Sequence, residues 1–146
     1  MAKFKFKMEN ILNLKERVAE QKEQEFAKAL QELVAQRALL DSFNQEKKDT
    51  LAKLKGELGD RITPLDFRLY TNYIEVIKQK IEHQKKELVK YEQFLEKKRL
   101  ELVEATKEKK MLDKLKENKF EEHIDEEKKS EQKHIDEIVS YRFKPT

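Results

Sequence analysis

Two copies of one tetrapeptide carry the side chains best suited to chemistry: His123-Ile124-Asp125-Glu126 and His134-Ile135-Asp136-Glu137. An imidazole beside carboxylates can ligate a metal or relay a proton when the groups converge on one point. On a helix these do not converge. Eleven residues separate the copies, which sets His123 and His134 on one face but roughly 16 Å apart along the axis. That is too far for one ion. His83, like the other two, reads as a solvated helix-surface side chain. The two glycines, Gly56 and Gly59, lie in one short stretch and cannot form a phosphate loop. The absence of cysteine removes disulfides, thiolate catalysis and zinc–sulfur sites. The many carboxylates sit among lysines, where they solubilise a helix face. The sequence therefore predicts no catalytic residue, no cofactor and no metal, and a protein that is not an enzyme. The repeat itself reads as a docking stripe or as an echo within a Glu/Lys helix, and we prefer the echo.

The elements that must carry these residues are helices. Charged residues make up 43% of the 146 and apolar ones 37%, too few to fill a large core, with two glycines and two prolines. This composition predicts long helices burying a narrow seam. In the first half, steps of three and four run through Phe26, Leu30, Leu33, Arg37, Leu40, Asn44, Lys47, Leu51, Leu54 and Leu58. Ile11, Leu14 and Val18 extend that line backwards, with a polar break around Lys22. In the second half the line is Tyr70, Ile74, Ile77, Ile81, Gln84, Leu88, Tyr91, Leu95, Lys98, Leu102, Ala105, Lys109 and Leu112. Such spacing is that of a coiled coil.

Nearly every helix breaker falls in KGELGDRITP, residues 55–64. Gly56 and Gly59 are suited to closing a helix through the left-handed conformation. Thr63 then reads as an N-cap, Pro64 as the first helical residue and Asp66 as the partner in a capping box. Ile62 and Phe67 have the spacing of a hydrophobic staple. The expected fold is all-α: a two-helix antiparallel coiled-coil hairpin in one domain over residues 1–146. It has a helix over about 8–57, a turn over about 56–63 and a longer, overhanging C-terminal helix over about 64–140. The arms come to roughly 75 Å and 115 Å. Beyond about Leu112 the second helix is expected to overhang by roughly 40 Å. An unpaired helix is marginal alone, so the overhang wants another protein or a second copy of this chain.

Two further stretches have alternative uses. KFKFK near the start alternates with period two, as a strand does. It could add to a partner's sheet edge, sit on a membrane surface through Lys3, Lys5 and Lys7, or be a frayed terminus whose Phe4 and Phe6 cover part of the overhang; the last is preferred. Phe43, Phe67, Tyr70 and Tyr73 cluster near the bend, where they either close the tip or form an interaction surface. Lys and Arg exceed Asp and Glu by only 33 to 30, and the charges are interleaved. That argues against nucleic acid, which needs a concentrated basic face. No apolar run approaches a membrane span and the start lacks the apolar middle of a signal peptide, so a cytoplasmic protein is expected.

The chain resembles the FliJ family of the flagellar protein export apparatus. FKFKMENILNLKE is similar to that family's Phe-containing lead into a Leu-rich helix. YTNYIEVIKQKIEHQ resembles its aromatic entry to the second helix, and KKMLDKLKENKFEEHIDEEKKSEQKHIDEI its C-terminal pattern. The resemblance implies an antiparallel coiled coil like the stalk of rotary ATPases. It further implies binding to the hexameric export ATPase FliI with promotion of its ring assembly and activity, contact with the transmembrane export gate FlhA, and exchange of export chaperones. Location at the inner face of the membrane, through the apparatus, follows with them. Carried onto this sequence, the ATPase contact falls on Leu112, Leu115, Phe120, Ile124, Ile135 and Ile138. The gate contact falls on Gln36, Leu40, Phe43, Tyr73 and Ile77. Lys47 and Lys80 depart from the family there, standing where an aromatic or small residue is expected. A stalk protein of virulence-type secretion, or a coiled-coil scaffold or chaperone without a secretion role, is the alternative.

Overall fold

The computed structural model describes residues 3–59 and 61–143. Two helices account for almost all of them: α1, Glu9–Leu58, and α2, Pro64–Arg142. α2 begins where the sequence places its cap. Thr63 Oγ1 accepts a hydrogen bond from the Asp66 N–H at 3.1 Å. Phe67 N–H donates to the Thr63 carbonyl at 3.0 Å, which starts the helical ladder. Asp66 in the first turn and Arg142 in the last suit the helix dipole.

The end of α1 differs from expectation. Gly56 lies inside the helix, and neither it nor Gly59 has a positive φ. The left-handed glycine cap predicted there is not used, and the helix simply stops at Leu58. The expected turn over about 56–63 includes Asp60, which lies outside the described residues. A glycine in helical conformation loses chain entropy for no conformational gain. A Cβ added at Gly56 would meet nothing within 4 Å. Gly56→Ala is therefore expected to stabilise the protein by about 0.5–1 kcal/mol, read from urea or guanidinium unfolding midpoints. A lower midpoint would contradict this account of the helix end.

The chain divides into two compact units, each made of stretches of both helices. One comprises Met1–Gln21 and Val103–Thr146, the other Lys22–Leu102. The Lys22–Leu102 unit is an antiparallel helical hairpin. Glu57 accepts from the Tyr70 hydroxyl at 2.8 Å, and Glu25 meets Lys98 at 3.3 Å. Between them, Gln84 Nε2 donates to the Gln36 carbonyl at 2.9 Å and to Gln36 Oε1 at 2.8 Å. Its core holds Ala29, Leu33, Leu54, Ile74, Ile77, Ile81 and Leu88. Every α2 position predicted for the seam within this unit, from Tyr70 to Leu102, is buried or half-buried.

The α1 seam needs a correction. Leu33 and Leu54 are buried as predicted, but the positions alternating with them are Ala29, Gln36, Phe43 and Thr50. Leu30 and Arg37 are exposed. The true line is one residue off at every second step, because it brings small or polar side chains against α2. Ala29 allows close approach and Gln36 pairs with the buried Gln84. Thr50 Oγ1 donates to the Glu46 carbonyl at 2.8 Å, which satisfies its hydroxyl. A paired polar side chain in a coiled-coil seam fixes register at some cost in stability.

In the other unit Leu12, Ala19 and Ala105 are buried, while Ile11 and Leu14 are exposed. The backward extension of the seam was thus also one residue out. Lys15 Nζ lies 2.7 Å from Glu108 Oε2 and Lys116 Nζ 2.9 Å from Glu9 Oε2, so the two stretches run antiparallel. The overhang starts later than Leu112. Lys3 to Met8 lie along α2 as far as Glu126, and from Lys128 onward every described residue is exposed.

Candidate partner interfaces

The N-terminal segment keeps the period-two pattern of its sequence without forming a strand. Phe4, Phe6 and Met8 are half-buried, whereas Lys3, Lys5 and Lys7 are exposed. The Phe4 ring packs edge-on against Phe120, with centroids 5.3 Å apart, and lies tilted against His123 at 5.6 Å. Glu9 N–H donates to the Phe6 carbonyl at 3.1 Å, turning the segment into α1.

Of the residues carried over for an ATPase contact, Leu112, Leu115 and Ile124 are half-buried within their own unit. Phe120 is exposed although the Phe4 ring packs against it, and Ile135 and Ile138 are exposed as well. Val139 and Tyr141 share that bare stretch. The spacing of Ile135, Ile138 and Val139 puts them on one apolar stripe.

The residues carried over for a gate contact divide differently. Gln36, Leu40 and Phe43 are half-buried and Tyr73 is exposed. Ile77 is 0% exposed. It is a core residue without free surface, so in that set it can act only by supporting its exposed neighbours. Lys80, one of the departures from the family, sets its ammonium 5.9 Å from the Phe43 ring centroid. The Tyr73 hydroxyl donates to Glu46. The hydrogen bonds from Tyr70 to Glu57 and from Tyr73 to Glu46 hold both phenols above their usual pKa, because the ionised forms would face carboxylates. At the bend Leu58, Leu65, Phe67 and Leu69 are exposed.

At the end of the Lys22–Leu102 unit away from the bend four charges alternate. Lys22 Nζ lies 3.3 Å from Glu25 Oε2 and 3.5 Å from Glu101 Oε2. Lys98 Nζ lies 3.3 Å from Glu25 Oε2 and 3.2 Å from Glu101 Oε2. In the sequence Lys22 breaks the seam and Lys98 belongs to it, and nothing in either stretch joins them. Two positions that each look like a defect become a matched pair only once the helices are aligned.

Among the described residues no group of three or more His, Asp or Glu side chains could hold a metal ion. His123 Nε2 is 3.7 Å from Glu127 Oε1, and His83 and His134 are exposed. No described helix is long and apolar enough to cross a membrane.

Long paired helices, mixed-charge outer faces and exposed apolar side chains define a helical coiled-coil protein. The chain belongs to the family described as flagellar FliJ protein, whose sequence pattern matches residues 4–145. That membership associates it with flagellar protein export. Among solved structures it is similar to a putative YscO homolog from Chlamydia trachomatis, at 22% identity over 95% of this chain and 94% of that one, with a TM-score of 0.47. No curated protein sequence matches the chain closely enough to count as a relative.

Proposed function

We propose that this protein is a non-enzymatic stalk of the flagellar type III export apparatus. It binds the hexameric export ATPase FliI, promotes ring assembly and hydrolysis, and links the ring to the export gate FlhA and to export chaperones. The observation that carries the reading is the family match over residues 4–145. The bare end of α2 supports it, because Ile135 and Ile138 expose an apolar stripe on a helix whose described residues are all exposed from Lys128 onward. In this reading Leu112, Leu115, Phe120, Ile124, Ile135 and Ile138 form the ATPase face. Gln36, Leu40, Phe43 and Tyr73 form the gate face, with Ile77 behind them as support. The protein works at the inner face of the membrane through its partners.

The test is ATP hydrolysis by the purified export ATPase from the same cell, titrated with this protein. The full chain should stimulate hydrolysis. Ile135→Asp with Ile138→Asp should need at least about tenfold more protein for the same stimulation, since two apolar anchors are lost from the interface. Both positions are exposed, so the helix itself should survive. Absence of both binding and stimulation by the full chain would sink the stalk assignment.

A further inference from the structure

We propose that Lys3–Met8 is an intramolecular strap that masks part of the ATPase face of α2 and is displaced when that partner binds. This rests on the stalk reading above. The strap covers the stretch that includes Leu115, Phe120 and His123. Its alternation turns Phe4, Phe6 and Met8 toward α2 and Lys3, Lys5 and Lys7 toward solvent.

The contact is built to be reversible. The strap meets α2 through the Phe4 ring, and the backbone bond from Glu9 to Phe6 is internal to its own turn. Phe4 and Phe6 are only half-buried, and Phe120 remains 46% exposed beneath the Phe4 ring. An incoming apolar surface could bury Phe120 more completely than Phe4 does. The strap is also short and well tethered. The ion pair of Glu9 with Lys116 at 2.9 Å holds the start of α1 beside α2. Release therefore frees the face while the helix pair remains intact. The strap and a partner that needs Leu115 and Phe120 compete for one surface. Such masking lowers apparent affinity by the fraction of molecules that are open.

The test uses the full chain and the purified export ATPase. Phe4→Ser with Phe6→Ser should bind on the order of 3–10-fold more tightly than the parent, as the open fraction rises toward one. The chain lacks cysteine, so Phe4→Cys with Phe120→Cys can be closed by a short bifunctional thiol reagent. The closed form should bind more weakly than the same protein before cross-linking. Unchanged or weaker binding by the serine variant, or equal binding by closed and open cysteine variants, would overturn the strap. If no form binds the ATPase, the stalk reading has failed instead. The fluorescence of an apolar dye then decides the masking: a rise in the serine variant upholds a covered docking face, and no rise overturns it.

Discussion

Ile77→Ala is expected to destabilise the protein by about 2–5 kcal/mol, the range for removing a large aliphatic side chain from a packed core. Ile77 is 0% exposed and is the largest fully buried side chain among the described residues. A two-helix seam has one layer of packing and little material that could relax into the space. The loss is a large share of the 5–15 kcal/mol typical of a folded domain. Val76 is the neighbour in sequence but 46% exposed, so Val76→Ala should stay within about 0.5 kcal/mol. Denaturant unfolding of the two variants side by side separates seam from surface. Equal effects would mean that the seam is misplaced. The comparison also guards against a misreading: loss of gate binding in Ile77→Ala would report unfolding of the face, not a lost contact.

The second helix was legible because its seam is written in one kind of residue. Ile74, Ile77, Ile81 and Leu88 are apolar, so the three-and-four step has a single consistent solution, which then carries Gln84 and Lys98 into place. The first helix has two solutions that share Leu33, Leu40 and Leu54. They differ over whether Leu30 or Ala29, and Arg37 or Gln36, faces the partner. On a helix, steps of three and four diverge to opposite sides of the same stripe. Following leucine chose the wrong side. What decided the matter was complementarity with α2: room for Ala29 and a buried partner for Gln36. That information belongs to the pair of helices and is absent from either one alone. The N-terminal strap was more accessible. Its period-two alternation announced one apolar edge, but the seat of Phe4 on Phe120 and His123 is visible only once the segment is folded against α2. The candidate interface rests on family resemblance alone, since an exposed Ile135 has no local mark of a partner.

Lys98→Met should lower thermal stability at neutral pH, and the loss should vanish or reverse in acid. Lys98 and Lys22 alternate with Glu25 and Glu101 around the seam, and the Lys98 side chain is only 17% exposed. The hydrogen bond from Lys98 is the main influence holding the Glu25 carboxyl below its ordinary value of 4.5, with Lys22 adding to it. The same Lys98 bond dominates at Glu101. Reciprocally, Glu101 and then Glu25 raise the Lys98 pKa above 10.5. A carboxylate with a lowered folded pKa binds fewer protons folded than unfolded as pH falls below 4.5, so its contribution is complete above that value and is lost through the lowered pKa. An amine with a raised folded pKa contributes fully below 10.5 and loses that contribution as pH rises through its folded value. The cluster therefore supports the fold on a plateau between these limits. Removing Lys98 leaves two carboxylates facing one ammonium. Once both are protonated, the parent retains two facing ammonium groups and the variant only one, which is why the order can invert. Melting temperatures of the parent and Lys98→Met across pH 2–8 decide it. A constant gap over that range would show that Lys98 acts through packing, and that the charge cluster contributes nothing of its own. Arg99→Met is the matching control: its pair with Glu96 is half exposed on one face of α2, where solvent and side-chain entropy leave an ion pair little net worth.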